Sequence, residues 1–326
     1  MDETIAIIIP YYKIEFIERA LNSIKSQTNL NYKVYIGDDC SFTDIASVLE
    51  KLNEDRWADN KVFYHRFEHN LGSKSLVQQW ERTIALSKKE QWIWLFSDDD
   101  EMEENCIERF FEHLNKTNSQ FDLYKFDTIT INEKSENISI NRLEENTFSS
   151  RDFAIKRLQR KLDSFVTEYI FSRKVYQETG GFVDFPLAWA SDDATWIKFG
   201  FKNGISNISG TYVHWRSSSL NISNSKIDSN IEKLNALCKY VIWLKGFFSG
   251  DKEIALLAKN FFIAHFTHHR IPQDIKTIWQ LSQKTKKAVG IGFLGLYWLL
   301  GKSNNNKPIF YIYRITMIFR NIFKQP

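Results

Sequence analysis

Aspartates stand in three short runs along the chain, at residues 38–39, 98–100 and 192–193. Neighbouring carboxylates repel one another, and a divalent cation, which prefers oxygen ligands, relieves that repulsion. A helix N-cap needs only one aspartate, so capping explains at most one member of the run at 98–100. The residue types alone leave this run open between a metal site and a solvated turn. For residues 192–193 they favour the N-cap of a helix starting at Ala194.

The elements that would position these aspartates alternate between strand and helix patterns in the first half of the chain. Residues 5–9 form a continuous apolar run, which is typical of a strand buried on both faces. Residues 34–36, 62–64 and 92–96 are predicted as further strands, and the segments between the strands carry apolar residues at helical spacing. This alternation predicts an α/β fold with a mostly parallel central sheet and helices on its faces.

Two of the aspartate runs directly follow predicted strands. Residues 38–39 come after the second strand, and residues 98–100 come after the fourth. Ligands of open α/β sheets bind beyond the carboxyl ends of the strands. We therefore expect a ligand site at this edge of the sheet, with carboxylates contributed by two strands.

Four motifs follow one another in the order and at the spacing of family 2 of the glycosyltransferases, which the chain resembles over roughly residues 4–216. They are Pro10-Tyr11-Tyr12, the acidic segment at 37–44, Asn70-Leu71-Gly72, and the segment at 94–100 that ends in the aspartate run. The resemblance implies the nucleotide-sugar-binding fold known as GT-A.

The resemblance also assigns donor-binding and metal-binding residues. Pro10 and Tyr12 belong to the first motif, in which the aromatic ring stacks on the nucleotide base. Asp39 matches the carboxylate that accepts a hydrogen bond from the uracil N–H, and a carboxylate selects a base edge with a donor because it can only accept. Asp98 matches the ribose contact. Asp99 matches the ligand of Mg²⁺ or Mn²⁺, which acts as a Lewis acid on the leaving diphosphate.

The chain departs from the family pattern at three positions. Tyr11 and Lys13 replace the usual Thr and Asn, and Ser97 stands where the metal motif usually has its first aspartate. The serine at position 97 affects the residue-by-residue alignment of the metal motif more than it affects the assignment to the family. Asp100 is left open between a metal ligand and the cap of the following helix.

Downstream residues complete the site that the resemblance implies. Asp193 matches the catalytic base, which takes the proton of the acceptor hydroxyl. Gly180-Gly181-Phe182 matches the acceptor-side region. His214 and Arg216 match a basic segment that often closes over the donor phosphates, and a buried or salt-bridged role is the alternative for both.

The implied activity is inverting transfer of a sugar from a nucleotide-sugar, with a UDP-sugar as the expected donor. The acceptor is a hydroxyl of a glycan or of a lipid-linked molecule, and the implied process is bacterial cell-surface polysaccharide synthesis. One alternative is a sugar nucleotidyltransferase, which typically has a glycine-rich basic loop after the first strand. The segment after the first strand here, Tyr11-Tyr12-Lys13, contains no glycine, which counts against this alternative. The other alternative is an inactive nucleotide-sugar-binding homologue, which Ser97 favours and the retained aspartates disfavour.

The C-terminal region has a charge pattern of its own. Residues 275–326 contain nine Lys and Arg and no acid, whereas residues 1–274 contain 34 basic and 40 acidic residues. The uncharged stretch at 288–300 is too short to span a bilayer, which needs about 20 residues. We expect a GT-A-like catalytic domain at 1–220 and a helical region at 221–326, whose tail at 275–326 binds an anionic membrane surface. Core helices are the alternative for that tail.

Cysteine usage and the N-terminal sequence bear on the compartment. The three cysteines have no paired or metal-like spacing, which indicates reduced thiols; they are Cys40, Cys106 and Cys238. No basic region precedes a long apolar run at the N-terminus, so we expect no secretory signal. We expect a cytoplasmic enzyme that is peripheral on the inner face of the cell membrane, with no nucleic-acid partner.

One histidine pattern resembles a zinc site. His265, His268 and His269 lie near the helical spacing of two zinc ligands. The segment has no Glu-rich catalytic motif and no third ligand nearby, so a surface helix is the preferred interpretation.

Overall fold

The computed structural model describes residues 3–53, 56–221, 230–268 and 275–303. The chain divides into two compact units. The first consists of Met1–Asp184 and Ser191–Asn224, and the second consists of Phe185–Ala190 and Ser225–Pro326.

The first unit alternates strands and helices. Its strands are β1 (Ile5–Tyr11), β2 (Tyr32–Asp38), β3 (Val62–Arg66), β4 (Trp92–Leu95), β5 (Glu101–Met102), β6 (Leu123–Ile131), β7 (Asn137–Asn141), β8 (Thr147–Phe148), β9 (Tyr169–Ser172) and β10 (Ile205–Arg216). Its helices are α1 (Ile17–Lys25), α2 (Ala46–Leu52), α3 (Trp57–Lys61), α4 (Leu76–Ile84), α5 (Cys106–Lys116), α6 (Ser150–Leu158), α7 (Arg173–Thr179) and α8 (Ser191–Phe199), with a 3₁₀ turn at Val166–Glu168.

The strands form one sheet in the order β3-β2-β1-β4-β9-β6-β10-β5, with β7 beside β6 and β8 beside β10. The pairs β1–β2, β1–β4, β2–β3 and β6–β10 are parallel, and they include the longest pairings. Antiparallel pairs have at most four residue pairs each; they join β9 to its two neighbours, β7 to β6, and β5 and β8 to β10. The predicted α/β fold with a mostly parallel sheet is confirmed.

The centre of the sheet is buried because its strands are apolar on both faces. The side chains of Ile5, Ile7 and Ile9 in β1 are completely buried. Helix α1 adds an apolar stripe at helical spacing, which includes Ile17 and Leu21. Burying each such side chain contributes about 1.5–3 kcal/mol to folding. Strand β1 is thereby fixed, and so is the position of the residues that follow it.

The sequence pattern missed several strands of this sheet, and β7 illustrates why. The polar stretch at 132–146 contains β7, which pairs with β6 in antiparallel register. Its side chains are mostly exposed, so it lacks the apolar alternation that marks a half-buried strand.

The second unit consists of helices α9 (Asn230–Phe247), α10 (Lys252–His268), α11 (Ile275–Val289) and α12 (Phe293–Ser303), with a 3₁₀ turn at Pro186–Ala188. Helix α9 packs against α10 and α11, and α11 packs against α12. Within the described residues, no helix is both long and apolar enough to cross a membrane.

The part of the basic tail that the structure describes, residues 275–303, forms two helices. The uncharged stretch at 288–300 is broken by Gly290, with a positive φ of 75°, between α11 and α12. Ile278, Leu281 and Leu296 are buried. Residues 304–326, which include the second apolar segment of the tail, lie outside the described residues, as does His269 of the histidine pattern.

Candidate functional site

The carboxylate of Asp98 lies at the carboxyl end of β1. Its Oδ2 accepts hydrogen bonds from the backbone N–H groups of Tyr12 at 2.9 Å and Lys13 at 3.0 Å. Strands β1 and β4 are parallel neighbours, so their carboxyl ends meet although these residues are far apart in sequence. Asp98 thus fixes the loop that presents Tyr12, whose side chain is 39% exposed.

Asp39 is held at the end of β2 by the Asn70-Leu71-Gly72 motif. The backbone N–H of Leu71 donates to Oδ1 at 2.6 Å, and that of Gly72 donates to Oδ2 at 2.8 Å. Arg82 of α4 forms an ion pair with the same carboxylate. A Cβ at position 72 would lie 2.6 Å from Oδ2 of Asp39, which explains why the motif has a glycine there.

The aspartate run at 98–100 is braced from β10 by Arg216. The Nε of Arg216 donates to the carbonyl oxygen of Asp99 at 2.7 Å, and its backbone N–H donates to Oδ1 of Asp100 at 2.7 Å. Arg216 is completely buried and also forms an ion pair with Glu101. The hydroxyl of Ser97 donates to Oδ1 of Asp99, so the serine that departs from the family pattern holds the neighbouring carboxylate.

The structure settles the alternative of a helix cap for Asp100. The next helix, α5, begins at Cys106 with Asn105 at its N-cap position. Asp100 therefore does not cap it. Its carboxylate instead accepts the bond from the Arg216 backbone described above.

Burial and mutual repulsion make the three aspartates hard to ionise together. Burial, with a contribution from the charge of Asp99, raises the pKa of Asp98 to about 7. Burial also raises the pKa of Asp99, and it raises that of Asp100 well above its usual range. A cation placed beside them would favour their charged forms.

A divalent metal ion fits the residues in this run. Within the described residues, no group of three or more His, Cys, Asp or Glu side chains is arranged to hold a metal ion. Mg²⁺ and similar ions are commonly held by one or two carboxylates together with substrate phosphates. Asp99 provides a hard oxygen ligand of this kind.

The aspartates open into a cleft of about 490 Å³, within the size range of ligand sites. Its lining combines aromatic walls with acidic and small polar residues; the described lining residues are Pro10, Tyr12, Lys13, Asp39, Asn70, Gly72, Ser73, Leu76, Trp80, Leu95, Phe96, Ser97, Asp98, Asp99, Asp100, Val166, Trp215, Leu220 and Asn221. The structure therefore brings together five of the eight residues to which the sequence analysis assigned a donor-binding, metal-binding or catalytic role: Pro10, Tyr12, Asp39, Asp98 and Asp99.

Three other predicted site residues are not among the described residues that line the cleft. Arg216 is buried behind the aspartate run. His214 lies 3.9 Å from Glu103, and burial lowers its pKa. Asp193 is in the first turn of α8.

The Asp192-Asp193 pair is organised by Arg157 of α6. The Nε of Arg157 donates to Oδ1 of Asp193 at 2.8 Å, and its Nη1 donates to the carbonyl oxygen of Leu162 at 2.6 Å. Asp193 is buried, whereas Asp192 is partly exposed. Burial and the adjacent charge of Asp193 raise the pKa of Asp192 to about 7. The two neighbouring carboxyl groups therefore occupy different electrostatic environments.

Sequence reasoning missed several lining residues. Trp80, Val166 and Trp215 form apolar walls of the cleft, and Trp215 stacks on Phe165 with ring centroids 4.1 Å apart. Apolar residues at a site have no charge signature, so nothing in the sequence distinguishes them from core residues. The ammonium of Lys13 donates to the carbonyl oxygen of Leu220. This bond joins two lining residues that are far apart in sequence.

Comparison with known sequences identifies one family. Residues 6–180, more than half of the chain, match the profile of the family described as Glycosyl transferase family 2. A comparison with curated proteins finds no match.

Solved structures with the same fold include bacterial and other enzymes. Staphylococcus aureus TarS 1–349 in complex with UDP-GlcNAc has a TM-score of 0.67 and 12% identity, over 96% of this chain and 92% of that chain. Full S. aureus TarS has a TM-score of 0.64 and 13% identity, over 93% and 53%. GalNAc-T7 with UDP, GalNAc and Mn²⁺ has a TM-score of 0.55 and 11% identity, over 91% and 56%. At these identities the likeness shows the fold alone, and the predicted GT-A fold is confirmed.

Proposed function

The chain belongs to glycosyltransferase family 2, and from this premise we propose that it transfers a sugar from a UDP-sugar to a hydroxyl of a glycan or lipid-linked acceptor, with inversion at the anomeric carbon. The observation that carries the proposal is the cleft that joins Asp39 to the aspartate run at 98–100 across the carboxyl ends of β2, β1 and β4. Such an edge is where open α/β sheets bind their ligands.

Recognition of the base would fall to Asp39 and Tyr12. The two oxygens of a carboxylate offer about four acceptor positions, and Asp39 receives three donors from Leu71, Gly72 and Arg82. The uracil N–H would take a further position, with the half-exposed ring of Tyr12 stacked on the base. Pro10 shapes the same wall of the cleft.

Asp98 and Asp99 would hold the ribose and the Mg²⁺ or Mn²⁺, respectively. When bound, the ion would neutralise negative charge on the diphosphate leaving group. The structure of GalNAc-T7 with UDP, GalNAc and Mn²⁺ supports this pairing of nucleotide and ion. Arg216 would position Asp99 through its hydrogen bond to the carbonyl oxygen of that residue. His214, on the same strand β10, would lie beside the donor phosphates.

Asp193 would be the general base. It takes the proton of the acceptor hydroxyl while the hydroxyl oxygen bonds to the anomeric carbon and the bond from that carbon to the diphosphate breaks. One in-line displacement inverts the configuration, as it does in inverting hydrolysis. Arg157 would keep the Asp193 carboxylate in place during this step.

The acceptor would be presented at an anionic membrane surface on the cytoplasmic side, as in bacterial cell-surface polysaccharide synthesis. Helix α11 carries exposed Lys276, Lys286 and Lys287 beside Trp279, whose side chain is 56% exposed. A tryptophan among lysines is typical of a helix that lies in the membrane interface.

The test is release of UDP and formation of product from UDP-sugars and acceptor alcohols, with the anomeric configuration read by proton NMR. Product of inverted configuration supports the proposal. Retained configuration contradicts the inverting mechanism, and formation of a nucleotide-sugar from a sugar phosphate would indicate the alternative nucleotidyltransferase.

A further inference from the structure

A second pocket lies on the first unit, at the edge strand of the sheet. It has a volume of about 410 Å³ and is lined by residues of β2, β3 and the segment before β4. Strand β3 is the last strand on this side of the sheet order. Tyr35 and Phe63 lie opposite one another in β2 and β3, each three residues before its strand ends at Asp38 or Arg66. At about 3.3 Å per residue, these two rings begin about 10 Å from the aspartate edge.

The floor of this pocket is aromatic and firmly held. The rings of Tyr35 and Phe63 stack with centroids 5.0 Å apart and planes at 14°. The hydroxyl of Tyr35 donates to Oε1 of buried Glu90 at 2.8 Å. Phe63 is 48% exposed, and the ammonium of Lys33 lies over its ring, 5.5 Å from the centroid, so a partly exposed aromatic surface lies beside a lysine.

The rim of the pocket is positively charged. Lys33, Lys88 and Lys89 line it and are exposed. Glu90 is the single carboxylate among the described lining residues, and Arg173 lies 3.7 Å from it. Its Oε2 also accepts from the backbone N–H groups of Lys88 and Lys89. The negative charge of Glu90 is thus already compensated by Arg173 and by these backbone donors. It therefore does not cancel the positive charge of the three lysines.

This charge is local, because the surrounding chain is acidic. Residues 1–274 carry 34 basic and 40 acidic residues. A cluster of three lysines above an exposed aromatic ring therefore stands out from the body of the protein. An aromatic face attracts the C–H groups of a sugar ring, and lysines attract phosphate or carboxylate groups.

We propose that this pocket binds an anionic glycan, with one sugar ring against Phe63 and its acidic group among Lys33, Lys88 and Lys89. The inference rests on the proposed function in one respect, since it takes the glycan to be the acceptor chain.

The test measures binding of short oligogalacturonate, which carries a carboxylate on each sugar, against a neutral maltooligosaccharide of equal length, by calorimetry at physiological salt. The double variant Lys88→Gln/Lys89→Gln is expected to weaken oligogalacturonate binding about tenfold, since two exposed charge contacts are lost. Phe63→Ser is expected to weaken it to a similar extent. Inorganic polyphosphate, which has the charge without the ring, should respond to the lysine variant and not to Phe63→Ser.

Matched controls are Lys161→Gln/Lys174→Gln, which removes two exposed lysines elsewhere, and Phe201→Ser, at a phenylalanine that is 62% exposed. Equal losses in these controls, or unchanged binding in the pocket variants, overturns the inference. Binding of UMP in the pocket in place of the glycan also overturns it. Stabilisation by UDP-sugar is followed on the same proteins. If wild type binds oligogalacturonate but no UDP-sugar, the donor assignment fails while the pocket assignment stands.

Discussion

Arg157 and Asp193, 36 residues apart in sequence, form an ion pair in which Nε donates to Oδ1 at 2.8 Å. Their side chains are 21% and 5% exposed. The pair joins the last turn of α6 to the first turn of α8. Since removing one partner leaves a mostly buried charge without its counterion, we expect Arg157 to control both the position and the ionisation of the carboxylates beside it.

Replacing Arg157 should shift the pH dependence of the reaction. A nearby cation lowers a carboxyl pKa, and Arg157 does so for Asp192. In Arg157→Gln this effect is lost and the pKa of Asp192 rises further, so the acidic limb of kcat against pH should move to higher pH. Arg157→Lys keeps the charge and should move the limb less. An acidic limb that stays in place in Arg157→Gln, with only a general loss of activity, would assign Arg157 a structural role alone.

Asp193→Asn should lower kcat by about 10²–10⁴, because the amide cannot accept the hydroxyl proton. Donor affinity should persist, since Asp193 is outside the described lining of the cleft. The exposed Asp163→Asn is the matched control. If Asp192→Asn is the crippling change and Asp193→Asn is mild, then Asp192 is the base and Asp193 only its ion-paired neighbour.

Asp39→Asn should reduce the preference for UDP over CDP. The carboxylate accepts from the uracil N–H, whereas an amide can also donate to the ring nitrogen of cytosine. Losing a charge-assisted bond of about 1.5–3 kcal/mol corresponds to roughly a tenfold or larger loss of UDP affinity. Gly72→Ala should act in the same direction, because its Cβ would meet Oδ2 of Asp39 at 2.6 Å. Calorimetric titration with both nucleotides measures this, and an unchanged UDP-to-CDP ratio in Asp39→Asn contradicts the assignment.

Membrane binding should depend on the exposed face of α11. Each lysine near an anionic surface contributes about 1 kcal/mol, and this contribution is screened by salt. Lys286→Gln/Lys287→Gln should therefore reduce co-sedimentation with anionic vesicles and leave that with neutral vesicles unchanged. Trp279→Ser should reduce co-sedimentation with both, because the indole ring contributes apolar contact. Point variants are preferable to truncation at 275, because α11 and α12 bury Ile278, Leu281 and Leu296. Co-sedimentation equal to that of wild type and of Lys161→Gln/Lys174→Gln would show that this face is not the anchor.

The parts of the fold that follow from apolar periodicity were predictable from the sequence. Strand β1 and the aspartates that follow β2 and β4 were located because buried parallel strands are continuous apolar runs with a polar end. The role of Arg216 was not predictable, because a buried arginine and a ligand-binding arginine look the same in sequence. Its hydrogen bond to the carbonyl oxygen of Asp99 depends on the pairing of β10 with β6, a long-range contact that no local pattern encodes.

The environment of the Asp192-Asp193 pair was unpredictable for the same reason. Arg157 lies on another helix, and nothing local distinguishes it from Arg151 or Arg160 nearby in sequence. Strand β7 was not predicted because its side chains are mostly exposed and show no apolar alternation. The sequence therefore reveals residues whose chemistry is shared with a family, whereas their partners depend on tertiary packing.

The most direct measurement of the central claim is a thermal-shift panel of UDP-, GDP- and dTDP-sugars, each with and without Mn²⁺, on wild type, Asp99→Ala and the exposed control Asp163→Ala. A ligand that binds only the native state at about 100 times its Kd adds about 2.7 kcal/mol of stability. We expect the largest rise in Tm for a UDP-sugar with Mn²⁺ in wild type and in the control, and loss of the Mn²⁺-dependent part in Asp99→Ala. No rise with any nucleotide-sugar, or a Mn²⁺-dependent rise that survives in Asp99→Ala, would contradict the account.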